Sequence, residues 1–198
     1  QVAIHAIGDR ANDMILDMYK SVAFENGMRD RRFRIEHAQH LSHGAAARFG
    51  RQKVVASVQP DHMLDAADLA RKLGLDRVLK GSYLFRSILA GDGDLILGSD
   101  WPVADIDPLR SMITARRRVP RGQEAPWNPS ESITLQDALN GYTVSAARGC
   151  FLDADVGSLS VGKMADFVVL SVDSWEEYEE EGQVSVEATY VGGLEAYN

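Results

Sequence analysis

Four short apolar runs, each followed by residues at helical spacing, fill the first two-thirds of the chain and restrict its folds more than any other feature. "VAIHA" (Val2 to Ala6) precedes "NDMILDMYKSVAFENG", where Met14, Ile15, Met18 and Val22 recur at a helical period and Gly27 supplies a stop. "FRIEH" (Phe33 to His37) precedes "SHGAAARFG", in which Ser42 is placed to cap a short helix. "VVASVQ" (Val54 to Gln59) leads through Pro60 into "HMLDAADLARKLG", an amphipathic helix that Gly74 ends. "DLILGSD" (Asp94 to Asp100) leads through Pro102 into "DPLRSMITARRR", with Pro108 in the first helical turn. "TLQDALNGYTVSAARGC" reads as one further helix, interrupted at Gly141. Strand-then-helix units in series predict parallel strands joined by helical crossovers, because parallel neighbours need a long connection.

Beyond Cys150 the pattern changes. "VGSLSVGKMADFVVLSVD" and "VSVEATYVGG" are β-rich and punctuated by glycine, with only a turn expected between them at "SWEEYEEEG". The acidic run from Glu176 to Glu181 reads as a solvated connection. The expected division is an α/β part over residues 1–150 and a small β part over 151–198.

Charge and cysteine content narrow the function classes. Lys and Arg total 21 against 29 Asp and Glu, a net charge of -8, which disfavours a broad phosphate-binding surface and so nucleic acid as a partner. The basic clusters "RDRRFR" and "ARRRVPRG" read as solvated helix ends and loops. No apolar run approaches the roughly 18 residues that a membrane span needs, so no membrane partner is expected. A chain that opens at Gln1 inside a strand is expected to have lost its true start. The single cysteine, Cys150, rules out an internal disulfide framework, fits a reducing and hence cytoplasmic compartment, and is expected to be a small buried thiol. The composition leaves room for a homo-oligomer.

Three of the four apolar runs end in a residue able to hold a metal: His5 in "VAIHA", His37 in "RIEH" and Asp100 in "LILGSD". In a parallel α/β barrel, side chains from different strands gather at the ends where strands run into loops. Two neutral imidazoles and a carboxylate suit Zn(II) or a similar divalent ion, and an open coordination position makes such a site catalytic. Near them, His40 and His43 read as loop or helix-start residues, and His62 in "QPDHML" could line the same mouth and touch substrate. Gln59, Arg10, Trp101 and Val103 are candidates for shaping the pocket. No G-x-S-x-G elbow occurs, and the glycines of "GDGDLILG" precede a strand, the wrong order for a dinucleotide or phosphate loop.

The motifs "HAIGDRA", "RIEHAQ", "GSDWPV", "GYTVSAAR" and "VGSLSVGKMADFVVL" together resemble the C-terminal half of a metal-dependent amidohydrolase. The resemblance is to the amidohydrolase 3 group, which includes YtcJ-like proteins and N-substituted formamide deformylases. It implies a (β/α)8 TIM barrel, of which residues 1–150 would supply strands five to eight, and a small β-sandwich to which residues 151–198 would return. It further implies that His5 is the metal ligand on the fifth barrel strand, His37 that on the sixth, and Asp100 the aspartate on the eighth. The family's first-strand His-x-His pair and its fourth-strand bridging residue would lie upstream of Gln1. Four units cannot close a barrel that takes roughly 250 residues, so the chain is expected to be a fragment.

The reaction implied is hydrolysis of a carbon–nitrogen bond in a small amide or formamide, with one or two zinc-like ions. The ion would acidify a water and polarise the carbonyl, while Asp100 as the catalytic base would take the water's proton and pass it to the leaving nitrogen. The alternative is a non-catalytic or truncated relative that keeps the fold for binding or regulation.

Overall fold

Four parallel strands, β1 (Ala3–Ala6), β2 (Arg34–His37), β3 (Val55–Val58) and β4 (Leu95–Leu97), lie side by side in sequence order. The computed structural model describes residues 1–27, 29–181 and 184–198. The register pairs His5 with Glu36, Ala6 with His37, Glu36 with Ser57 and Ser57 with Ile96. Since neighbours in register share a face, one side of the sheet presents Ala6, Ile35, Ala56, Val58, Leu95 and Leu97 to the helices, and all six belong to the main core. The other side carries His5, Glu36, Ser57 and Ile96. The chain is thus a mixed α/β protein built on a parallel sheet, as the strand and helix series predicted.

Helix α1 (Asp9–Glu25) follows β1, and α2 (Ala46–Gln52) follows β2. The helical period in α1 is as expected, but its buried face is turned: Asn12, Ile15, Leu16 and Tyr19 are inside while Met14 and Met18 are exposed. The reason is polar. Asn12 Nδ2 donates to the carbonyls of Ala6 (3.1 Å), Gly8 (2.9 Å) and His40 (3.2 Å), and Tyr19 OH donates to that of Arg34 (2.9 Å). A hydrophobicity scan cannot see side chains drawn inward by backbone acceptors. Ser42 does not cap α2, whose N-cap is Ala45; its hydroxyl donates instead to Asp13 on α1 (2.9 Å).

The connection from β3 to β4 is longer than the pattern suggested. A 3-10 turn (Pro60–Asp65) precedes α3 (Ala66–Leu73), which ends at Gly74 as expected. Two short helices not foreseen, α4 (Leu75–Gly81) and α5 (Phe85–Ala90), complete it. Helix α6 (Pro108–Arg117) starts on Asp107, whose carboxylate accepts from the backbone N–H groups of Leu109 and Arg110. The last helical stretch is two helices, α7 (Leu135–Tyr142) and α8 (Val144–Gly149), and the break falls at Thr143 (φ -120, ψ -90), not at Gly141. Gly141 serves packing: a Cβ there would come within 2.7 Å of Leu97 Cγ on β4.

Residues 167–197 form a three-stranded antiparallel sheet from β5 (Phe167–Leu170), β6 (Val186–Val191) and β7 (Leu194–Tyr197). The β6–β7 hairpin turns on Gly192 and Gly193, both at positive φ, as a tight two-residue turn requires. Three expectations are corrected here. The "GSLSVGK" part of the expected β segment holds turns and no strand. The acidic stretch is a helix, α9 (Trp175–Glu181), and no mere connection: Tyr178 is buried and its OH donates to the Leu109 carbonyl (2.6 Å). Gly182, the last residue of that stretch, lies outside the described residues. Cys150 is exposed, against the expected burial, because it caps α8 at the surface. Among the described residues, no helix is long and apolar enough to cross a membrane.

Candidate metal centre

Parallel strands bring their C-terminal ends to one edge of the sheet, and the candidate residues sit there. His5 is in the last half of β1, His37 closes β2, and Asp100 follows β4 after Gly98 and Ser99, at the start of a turn. Strict alternation would set His37 on the opposite face from His5, since His37 pairs with Ala6. The backbone at His37 departs from the strand (φ 77), and the two imidazoles meet edge to face with ring centres 4.5 Å apart. Asp100 also holds a positive φ of 57. Non-glycine residues in this region carry strain that the surroundings must sustain, and such positions concentrate at functional sites.

The tightest donor group is His37, His62 and Asp100, with one ligand atom from each lying within 4.8 Å of the others. A cation about 2.0–2.1 Å from each donor holds them at most roughly 4.2 Å apart, so the group needs only a small contraction to share one. Of the three residues read from the sequence, the structure therefore gathers His37 and Asp100 in one donor set and places His5 against His37 beside it. His62, expected only at the mouth, is inside the group.

The His37 ring is held from behind. His37 Nδ1 lies 2.9 Å from Gln59 Oε1, so Nδ1 carries the hydrogen and Nε2 is left with its lone pair for the site. Gln59 itself is buried. The His62 ring is near-parallel to that of His37, 21° apart with centres 6.0 Å distant. Its Nε2 is buried without a hydrogen-bond partner and sits 3.9 Å from Asp100 Oδ2. Burial pushes the His62 pKa down, an effect that nearby Asp100 opposes; the imidazole is thereby biased to the neutral form that donates a lone pair or a hydrogen. The lone pair left on His37 Nε2, beside the His5 imidazole and near the Asp100 carboxylate, is the chemistry a divalent cation site presents, and these residues fit one.

The remaining candidates divide. Val103 lines a cavity of about 320 Å³ next to His62, together with Gln39 and Tyr83. Trp101 is mostly exposed, and Arg10 is exposed on α1 away from the donors. His40 bonds through Nδ1 to Ser82 Oγ (2.7 Å), and burial lowers its pKa; His43 lies exposed in a turn. Sequence reasoning missed Asn12, whose contacts with the carbonyls of Ala6, Ile7 and Gly8 fix the loop that follows His5. Its signal, a polar residue inside an apolar helical face, is visible in the sequence only once the face is known.

Residues 1–197 match a family model described as Amidohydrolase family. The chain is 63% identical over 198 residues to Protein LONG AFTER FAR-RED 3 of Arabidopsis thaliana, covering 100% of this chain and 34% of that relative. It is 28% identical over 198 residues to N-substituted formamide deformylase of Arthrobacter pascens, covering 99% and 36%. Among solved structures, the crystal structure of an uncharacterized metal-dependent hydrolase from Pyrococcus horikoshii superposes with a TM-score of 0.72 at 30% identity, over 83% of this chain and 32% of that one. The chain spans about a third of the length of the curated relatives it matches.

Proposed function

Because this chain belongs to the amidohydrolase family, we propose that it is the part of a metal-dependent hydrolase that holds the ion and handles the proton in cleaving a non-peptide carbon–nitrogen bond. The observation that carries this reading is the grouping of His37 and Asp100 within one donor set, with His5 packed edge to face on His37, at the strand ends along one edge of the sheet. The sequential strand order supports placing residues 1–150 as units five to eight of a (β/α)8 barrel, and 151–198 as a segment of a β-sandwich.

His5, His37 and Asp100 are the residues that would hold the ion, one or two of zinc or a similar metal. A divalent ion at that place would supply an acidified water and a polarised substrate carbonyl. The rest is this chain's own work. Gln59 fixes the His37 ring. Asp100, part exposed toward the mouth, accepts the proton of the attacking water and returns it to the leaving nitrogen. The substrate class is a small amide or formamide, as the deformylase relative's name suggests.

The test uses the full-length protein with zinc and a panel of N-substituted formamides and simple amides. Asp100→Asn is expected to cut kcat by roughly 10²–10⁴-fold, the usual share of a general acid–base group, with metal content unchanged. Hydrolysis at a near wild-type rate would overturn the assignment. A second reading, a non-catalytic relative retained for binding, is favoured by one finding: the Arabidopsis relative is not named for a reaction. Loss of a His-x-His strand end upstream of Gln1 would support it.

A further inference from the structure

We propose that His62 is a catalytic residue that touches substrate, donating its Nε2 hydrogen to the carbonyl oxygen of the bond being cleaved. The inference rests on the reading of Asp100 given above. Its starting point is the orphaned Nε2, which is buried with no hydrogen-bond partner among the described residues. A buried polar atom left unpaired is costly, and this one belongs to a residue of the donor group, where a substrate can supply the partner. Asp100 Oδ2, at 3.9 Å, is too far to be that partner.

His62 belongs both to the donor group and to the lining of the neighbouring cavity of about 320 Å³. One edge of His62 faces His37 and Asp100, and the same residue lines the cavity with Gln39, Tyr83 and Val103. A substrate that seats its body in the cavity brings its carbonyl past this edge toward the donors.

The backbone that carries the ring is held in place before anything binds, as stabilisation of developing charge requires of its support. Tyr83, itself buried, donates its OH to the His62 carbonyl (2.8 Å). Next to it Asp61 is buried and accepts from Arg110 Nη2 (3.0 Å), pinning the 3-10 turn to α6. The Arg121 N–H closes the turn on Leu64 O (3.0 Å).

The experiment uses the full-length zinc-loaded protein, with His62→Ala and with His62→Gln, which keeps an N–H donor. Zinc content is measured by atomic absorption and binding of formate, the acid product of a formamide, by calorimetry. Both variants are expected to keep the wild-type zinc content. Formate affinity is expected to fall at least about tenfold in His62→Ala, as loss of a hydrogen bond to a charged group implies, and to recover largely in His62→Gln. A fall in zinc content in both variants makes His62 a metal donor and overturns the proposal. So does unchanged formate affinity in His62→Ala, or the absence of saturable formate binding in the wild type. If amides are hydrolysed but formate affinity is unchanged in His62→Ala, the role of His62 fails and the proposed reaction stands; if no amide is hydrolysed, both fail.

Discussion

Arg118 carries a guanidinium into the core from a cluster that the sequence presents as solvated. It is fully buried at the end of α6, where a left-handed backbone (φ 54) turns it inward. Nε donates to Trp127 O (3.1 Å) and Nη1 to Glu131 O (3.3 Å), and the rings of Phe85 and Trp127 each lie 5.3 Å from its centre. Burial pushes its pKa down to about 10, so the group remains charged at neutral pH. Truncation removes the packed stem and leaves two carbonyls unpaired. Arg118→Ala is therefore expected to cost about 2–4 kcal/mol, read as a lower denaturant midpoint in the full-length protein. A cost under about 0.5 kcal/mol, ordinary for a surface change, would mean the buried placement is wrong. The "ARRRVPRG" composition gave no sign of this, because Arg116 and Arg117 beside it do stay near the surface, pairing with Glu179 and its carbonyl on α9.

At the scale of elements, helix α7 and strand β4 approach more closely than a side chain on α7 allows. Helix propensity alone makes Gly141→Ala stabilising by about 0.5–1 kcal/mol. The added Cβ would meet Leu97 Cγ at 2.7 Å, and Leu97 is a core residue. Overpacking of this kind costs about 1–3 kcal/mol, so the contact wins. The substitution is expected to lower the melting temperature, and a rise would show that the helix can step back from the strand. The element boundaries tell the same story. The α6 cap at Asp107 and the α7 capping box of Thr134 and Asp137 lie in local sequence. The break at Thr143 does not, since it follows from how α7 and α8 each pack on β4, and glycine at 141 was the misleading local cue.

For the whole molecule, a cation held by residues from three strand ends would couple binding to folding. Anything that binds the native state alone stabilises it, by about 2.7 kcal/mol at a hundred times its Kd. Zinc is expected to raise the melting temperature of the full-length protein, a chelator to reverse it, and His37→Ala to abolish the response. No zinc-dependent shift in the wild type would count against the donor set.

The sequence by itself determined the parallel series of strands and crossovers, because hydrophobic period, caps and glycine stops are local. It also determined which residue types end the strands, and so His5, His37 and Asp100 as a candidate set. Only the tertiary structure decided how those ends meet. The left-handed backbone at His37 overrides the alternation that would have separated it from His5. The turn after β3, anchored by Tyr83 and by the Asp61–Arg110 pair, carries His62 into the group. The physical reason is range: strand and helix formation respond to neighbours a few residues away, whereas the orientation of a ring at a strand end is set by partners twenty or more positions distant, such as Gln59 for His37.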